Sequence, residues 1–193
     1  MKLKKSDISD RVVQRLTDYL SILKEVRKDL STFGEFGVRG KGYDIEKLIE
    51  IIEEILGINK VNNVIIVGHG KMGEMLTSNS KVLGKGFKII GIFDKSRKKI
   101  DTEVEDLKMK IRDINTIEKF IKDSQEPVET AILSVVKDQA QVAAEKLIKG
   151  GIKAILNMTT YKLELPKNII VVDMDISAKL QELNFWRINS KEE

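Results

Sequence analysis

Apolar positions along the chain change their period three times, and each change marks an element. From Ser6 to about residue 26, Ile8, Val12, Val13, Leu16, Tyr19, Leu20 and Leu23 recur every three or four residues, which predicts an amphipathic helix. Ser6 or Ser9 can cap it, with Asp7 and Asp10 favourable in its first turn. Arg27 to Thr32 continues in the same manner, and the stretch Phe33 to Tyr43 breaks it with four glycines in eleven residues. Asp44 to Gly57 returns to helical spacing through Ile45, Leu48, Ile49, Ile51, Ile52, Ile55 and Leu56. Beyond Gly57 short apolar runs alternate with helical segments. Strands are predicted at about 62–67, 88–94, 129–135, 153–157 and 169–173, with a shorter one near 109–112. Helices are predicted at about 71–82, 114–123, 138–149 and 175–187. Alternating β and α units imply a parallel sheet covered on both faces.

The run Val64-Ile65-Ile66-Val67 leads straight into Gly68-His69-Gly70-Lys71-Met72-Gly73, a G-x-G-x-x-G between a strand and a helix. In that context Gly68 permits the tight turn, Gly70 lets the backbone approach a pyrophosphate, and Gly73 lets helix and strand pack closely. The second strand ends in Asp94, about 20 residues on, where a carboxylate can take a ribose hydroxyl. These features predict a dinucleotide site, and Asp94 favours NAD(H) over a 2′-phosphorylated cofactor. Lys95 and Arg97 follow closely enough to soften that discrimination, or are solvated turn charges. His69 is the only histidine and sits in the phosphate loop, away from where a reacting group would lie, so its expected role is in the backbone. Tyr161 and Lys162 are adjacent rather than four apart on a helix, and there is no cysteine. No apparatus for hydride transfer is present, and the chain is not expected to be an enzyme.

Composition narrows the class. At 193 residues, with 41% hydrophobic and 33% charged residues, the chain is of globular type. The absence of cysteine excludes disulfides and thiolate chemistry and fits a reducing compartment. Met1 to Lys5 is basic without a following apolar core, and no apolar run approaches the roughly 20 residues of a membrane span. The expected location is the cytoplasm. The net charge of +4 is concentrated: residues 1–43 carry ten Lys/Arg against six Asp/Glu, an excess equal to that of the whole chain. A basic head on a neutral body suits a polyanionic partner, as does the glycine-rich loop with Arg39, Lys41 and three aromatics, though both are equally read as solvated surface and an ordinary turn. The last helix places Ile176, Leu180, Leu183 and Trp186 on one side, so it must bury that side on its own domain or on a partner chain.

These pieces, in this order, resemble the Rex family of bacterial redox-sensing repressors over nearly the whole chain. The resemblance is carried by Ile8-Ser9 with Arg15-Leu16 and Tyr19, by Arg27-Lys28-Asp29-Leu30-Ser31-Thr32-Phe33-Gly34, by Gly37 to Tyr43, and by the glycine loop. Phe93-Asp94, Ile155-Leu156-Asn157, and Asp175 with Leu180-Gln181 complete it. It implies an α/β chain with an N-terminal, truncated winged-helix DNA-binding domain over 1–57, a Rossmann NAD(H)-binding domain over 58–173, and a C-terminal domain-swapped helix over 174–193. It implies a homodimer that binds operator DNA and is released when NADH is bound at a raised NADH/NAD⁺ ratio. The residues it assigns to NADH or NAD⁺ are Gly68, His69, Gly70, Lys71, Met72, Gly73, Asp94, Ser134, Val135 and Asn157; to DNA, Arg27, Lys28, Arg39, Gly40, Lys41 and Tyr43; to the swap, Asp175, Ile176, Leu180, Leu183 and Trp186.

The chain also departs from the family. About one and a half helices have no counterpart between Leu23 and Arg27, roughly twenty residues against a three-helix module. Ser134-Val135-Val136 stands where a Val-Pro is usual, and Thr160 where a proline is. Two other readings therefore stand beside a repressor: an NAD(H)-binding sensor or adaptor without sequence-specific DNA contact, and a module binding CoA or another nucleotide.

Overall fold

The computed structural model describes residues 45–189, and the chain divides into two compact units, Met1–Leu56 and Gly57–Glu193. The helix expected at 6–26, the glycine-rich loop, and the DNA candidates Arg27, Lys28, Arg39, Gly40, Lys41 and Tyr43 lie outside the described residues. Of the first unit one helix is described, α1 (Ile45–Ile55), with Ile49, Ile52 and Ile55 exposed.

The second unit is built on a seven-stranded sheet. Its strands are β1 (Asn62–Val67), β2 (Phe87–Asp94), β3 (Glu103–Val104), β4 (Met109–Asp113), β5 (Thr130–Leu133), β6 (Ala154–Asn157) and β7 (Ile170–Asp173). Their spatial order is β3-β4-β2-β1-β5-β6-β7, parallel throughout except for the short β3, which pairs antiparallel with β4. The chain leaves β1 toward β2 and β4, then returns to the other side of β1 for β5 to β7. That reversal opens a crevice beyond the carboxyl ends of β1 and β5, the place where sheets of this kind bind ligands.

β1 is apolar without interruption from Val64 to Val67 because both sides of the sheet are covered there. Its side chains alternate between two cores. Ile65 and Val67 join Phe93, Leu133 and Ile155 beneath α3 (Ile117–Asp123) and α4 (Ala140–Gly150), which supply Ile117, Ala143, Ala144 and Leu147. Val64 and Ile66 join Ile89, Ile92, Ile111 and Ile132, with Leu76 from α2 (Lys71–Ser78) packed on them. Within the second unit no described α-helix lines this second face over β5, β6 and β7, leaving an apolar groove of about 310 Å³ lined by Val64, Leu83, Phe87, Ile132, Leu156 and Val172.

Sequence and structure differ at two places. The helix expected over 71–82 stops at Ser78, and a 3₁₀ turn follows over Ser80–Leu83. The hydroxyls of Thr77 and Ser78 both donate to the Glu74 carbonyl, at 3.0 and 2.8 Å, and such local bonds compete with the helical ladder. β3 has two residues, too few to show a period. The last helix, α5 (Ile176–Asn189), is capped by Asp175, whose Oδ1 accepts the Ala178 N–H at 3.1 Å. None of its residues is buried: Ile176, Leu180, Leu183, Phe185, Trp186 and Ile188 are each more than half exposed.

Ile66, fully buried at the middle of the sheet, tests the packing of the central strand. Ile66→Ala is expected to lower unfolding free energy by about 2–5 kcal/mol in urea denaturation, the usual range for such truncations. A loss below 1 kcal/mol would show that this face is loosely packed.

Candidate functional site

The turn from β1 into α2 is set by contacts too close for side chains. Gly68 has φ +95°, and a Cβ there would lie 2.6 Å from the Ser134 carbonyl oxygen. A Cβ on Gly73 would lie 2.1 Å from the Gly68 carbonyl oxygen, so the first turn of α2 can rest against the loop only because Gly73 has no side chain. The strand ladders hold the loop from below: the Gly68 N–H donates to the Phe93 carbonyl and the Ser134 N–H to the Val67 carbonyl, at 2.7 and 2.8 Å. From the side, the Ser134 hydroxyl donates to the Gly68 carbonyl at 2.7 Å.

Gly70 is different. Its φ of −79° is open to any residue and a Cβ would meet nothing within 4 Å, so the protein's own packing does not call for glycine there. It is the N-cap of α2, yet no side chain caps the helix. The first-turn N–H groups and the positive end of the helix therefore face open space, the arrangement that holds phosphates.

That space is a cavity of about 360 Å³ at the carboxyl ends of β1, β2, β4 and β5. Gly68, Gly70, Ser134 and Val135 form one end; Ile114, Val142 and Ala143 give an apolar wall; among the described residues Lys95, Lys99 and Lys146 are its cations and Asp94 its one acid. The Lys146 ammonium is hydrogen-bonded to the Asn115 side-chain oxygen across the rim. Three lysines against one carboxylate give the lining a net positive charge, which complements a diphosphate, and the apolar wall fits the face of a base.

Asp94 is 8% exposed. Burial alone would raise its carboxyl, but the Ser96 and His69 N–H groups, each at 2.8 Å, and the Lys99 ammonium at 3.6 Å hold it below the ordinary value of 3.8. It is ionised at neutral pH. A carboxylate has about four acceptor positions, so two backbone bonds leave room for a ribose hydroxyl.

Of the predicted cofactor residues, Gly68, Gly70, Asp94, Ser134 and Val135 line this cavity. Gly73 is buried behind the loop. His69 and Lys71 line a separate polar cleft with Glu74, Thr77 and Asp106, and Met72 lines neither. The His69 ring is 3.0 Å from the Thr77 hydroxyl through Nε2. Thr77 gives its own proton to the Glu74 carbonyl, so Nε2 must be the donor, which fixes the tautomer. Burial, reinforced by the Lys99 charge, lowers the His69 imidazole from 6.5.

Asn157 lies outside the lining. It is 1% exposed and satisfied within the protein: its Nδ2 donates to the Tyr161 carbonyl and Asp173 Oδ1, and its Oδ1 accepts from the Thr159 N–H and hydroxyl. Tyr161 packs on the core. Lys99, Ile114, Asn115, Gln139, Val142 and Lys146 were not singled out by the sequence. Their shared signal is position, in the segments that follow β2, β4 and β5.

Comparison with known proteins places this geometry. Residues 59–161 match the CoA binding domain family. The chain is 40% identical over 161 residues to the redox-sensing transcriptional repressor Rex 1 of Thermotoga maritima, covering 83% of this chain and 75% of the relative. It is 32% identical over 192 residues to the Rex repressor of Caldanaerobacter subterraneus subsp. tengcongensis, covering 99% and 84%. Among solved structures it is similar to RSP, a Rex-family repressor, in complex with β-NAD⁺ and operator DNA, with TM-score 0.77, 30% identity and coverage of 94% and 93%. RSP in complex with β-NADH gives TM-score 0.71, 28% identity and 96% coverage of each chain.

The second and third glycines of the loop separate stability from binding. Gly73→Ala is expected to cost about 1–3 kcal/mol or more through the clash with Gly68, read by urea denaturation. Gly70→Ala is expected to leave stability unchanged, or raise it by about 0.4–1 kcal/mol, while lowering dinucleotide affinity at least tenfold by calorimetry. Equal loss of stability in both would remove the distinction.

Acid should loosen this loop in two steps. A group whose folded pKa is lowered stabilises above its unfolded value, and that contribution is lost as pH falls through the folded value. For His69 the loss begins near 6.5 and for Asp94 near 3.8. The melting temperature is expected to fall between pH 7 and 5, and less so in His69→Gln; parallel profiles would exclude His69 as the source.

Proposed function

This chain belongs to the Rex family of redox-sensing transcriptional repressors, and from that premise we propose that it binds operator DNA as a homodimer and releases it when NADH is bound. The observation that carries the reading is the uncapped Gly70 end of α2, opening on a positively lined cavity with ionised Asp94 at its rim. A dinucleotide fits these residues: the α2 amides take the diphosphate, Asp94 the adenosine ribose, and the wall of Ile114, Val142 and Ala143 the base. Gly68, Gly73, Ser134 and His69 shape the loop behind them, and Asn157 steadies the segment after β6.

The rest of the switch is assigned by the same reading. Residues 1–57 form the shortened winged-helix unit, with Arg27, Lys28, Arg39, Gly40, Lys41 and Tyr43 on DNA. The segment 174–193, opening at Asp175, is the exchanged dimer helix, supported by Ile176, Leu180, Leu183 and Trp186, apolar residues each more than half exposed. An apolar sheet face left uncovered within one chain gives a second copy something to bury. The regulator is not an enzyme, in keeping with relatives that are repressors, and works in the cytoplasm. Coupling between cofactor and DNA requires that the DNA-incompetent arrangement take NADH more tightly than the competent one.

The CoA binding domain match favours a second reading, in which the same amides hold the diphosphate of CoA. Two measurements on the full chain decide. Fluorescence anisotropy with a palindromic operator should show binding that persists with NAD⁺ and is lost with NADH. Calorimetry should rank NADH above CoA, with Asp94→Ala weakening NADH at least several-fold. CoA binding without NADH binding would overturn the redox reading, and NADH binding without operator binding would leave a sensor that has lost DNA contact.

A further inference from the structure

The turn after β2 carries a lysine whose hold on the phosphate loop goes beyond its place in the cavity lining. Its backbone is fixed before the side chain begins. The Lys99 and Ile100 N–H groups donate to the Ser96 carbonyl at 2.9 and 3.1 Å, and the Thr102 hydroxyl donates to the Lys99 carbonyl at 2.6 Å. From there the ammonium reaches across to the loop and donates to the His69 carbonyl at 2.6 Å, while standing 3.6 Å from Asp94 Oδ2. That same Oδ2 accepts the His69 N–H at 2.8 Å. His69 is thus held on both sides of its Cα by an acid and a base that are themselves paired.

The two contacts govern different peptide groups. Asp94 holds the N–H of the Gly68–His69 peptide. Lys99 holds the carbonyl of the His69–Gly70 peptide, whose N–H belongs to Gly70. No cis peptide occurs among the described residues, so that N–H points opposite to the carbonyl Lys99 holds. Gly70 has no side chain, and a Cβ there would touch nothing, so local packing does little to stop this peptide from turning over.

We propose that Lys99 is a positioning residue for the diphosphate site, fixing the His69–Gly70 peptide so that the Gly70 N–H is aimed into the cavity before any ligand arrives. The inference rests on reading the cavity as a dinucleotide site, and it holds equally for any ligand with an adenosine diphosphate. Its physical content is preorganisation: a peptide already oriented has no ordering cost to meet on binding.

The test is Lys99→Met in the full chain, with Lys99→Arg as the conservative rescue. In ligand-free, ¹⁵N-labelled protein, the Gly70 amide resonance should shift or broaden in Lys99→Met and return toward wild type in Lys99→Arg. By calorimetry, affinity for NADH and for ADP-ribose should fall about tenfold in Lys99→Met, the size expected for losing one charge-assisted hydrogen bond, and recover in Lys99→Arg. An unchanged Gly70 resonance overturns the proposal even if affinity falls, because a lysine that only touched the phosphates would leave the free loop as it was. If Lys99→Met does not fold, Lys99→Gln, too short to span to the His69 carbonyl, takes its place. Should the wild type bind neither NADH nor ADP-ribose, the dinucleotide reading fails, and the Gly70 resonance still decides whether Lys99 sets the loop.

Discussion

The contact between Gly73 and the Gly68 carbonyl is the constraint on which the site depends. A single carbon atom added at Gly73 would come within 2.1 Å of that oxygen. Because it is absent, α2 can start directly above the end of β1, and its axis points its unbonded N–H groups at the crevice. The strand order reverses on either side of β1, so the loop stands at the switch point of the sheet. Loop, helix end and switch point coincide, and each alone would be unremarked in an α/β sheet.

Electrostatics refine what steric fit allows. The α2 terminus is positive, and Lys95, Lys99 and Lys146 add to it along the cavity. Asp94 stays ionised in this setting because backbone N–H groups and an ammonium offset the effect of its burial. The carboxylate holds the loop through the His69 N–H, and it keeps acceptor positions for the ribose that the proposed function assigns to it. A site that uses its charges to hold its own backbone is suited to sensing a ligand.

The terminal helix shows the opposite economy. Its polar positions meet water, but so do Ile176, Leu180, Leu183 and Trp186, and the sheet face over β5 to β7 is likewise apolar and lined by no described α-helix of its own unit. Two apolar surfaces left in water within one chain are costly, and a second copy of the chain, as proposed above, would give both something to bury.

How much of this was legible depended on the range of the interaction. Strand positions, the glycine loop and Asp94 were readable because they rest on local requirements: an unbroken apolar run, a turn too tight for side chains, and a fixed spacing. The early stop of α2 was not, since it turns on hydroxyls of Thr77 and Ser78 choosing the Glu74 carbonyl. The family resemblance implied a cofactor role for Asn157, and the structure adds that its side chain bonds Asp173, Thr159 and Tyr161. The sequence by itself determined the alternation of strands and helices beyond Gly57, the glycine turn after β1 and the resemblance to the family. Only the tertiary structure decided that Lys99, Asn115, Val142 and Lys146 belong to the same cavity as Gly70, because residues far apart in the chain meet there through the pairing order of the strands.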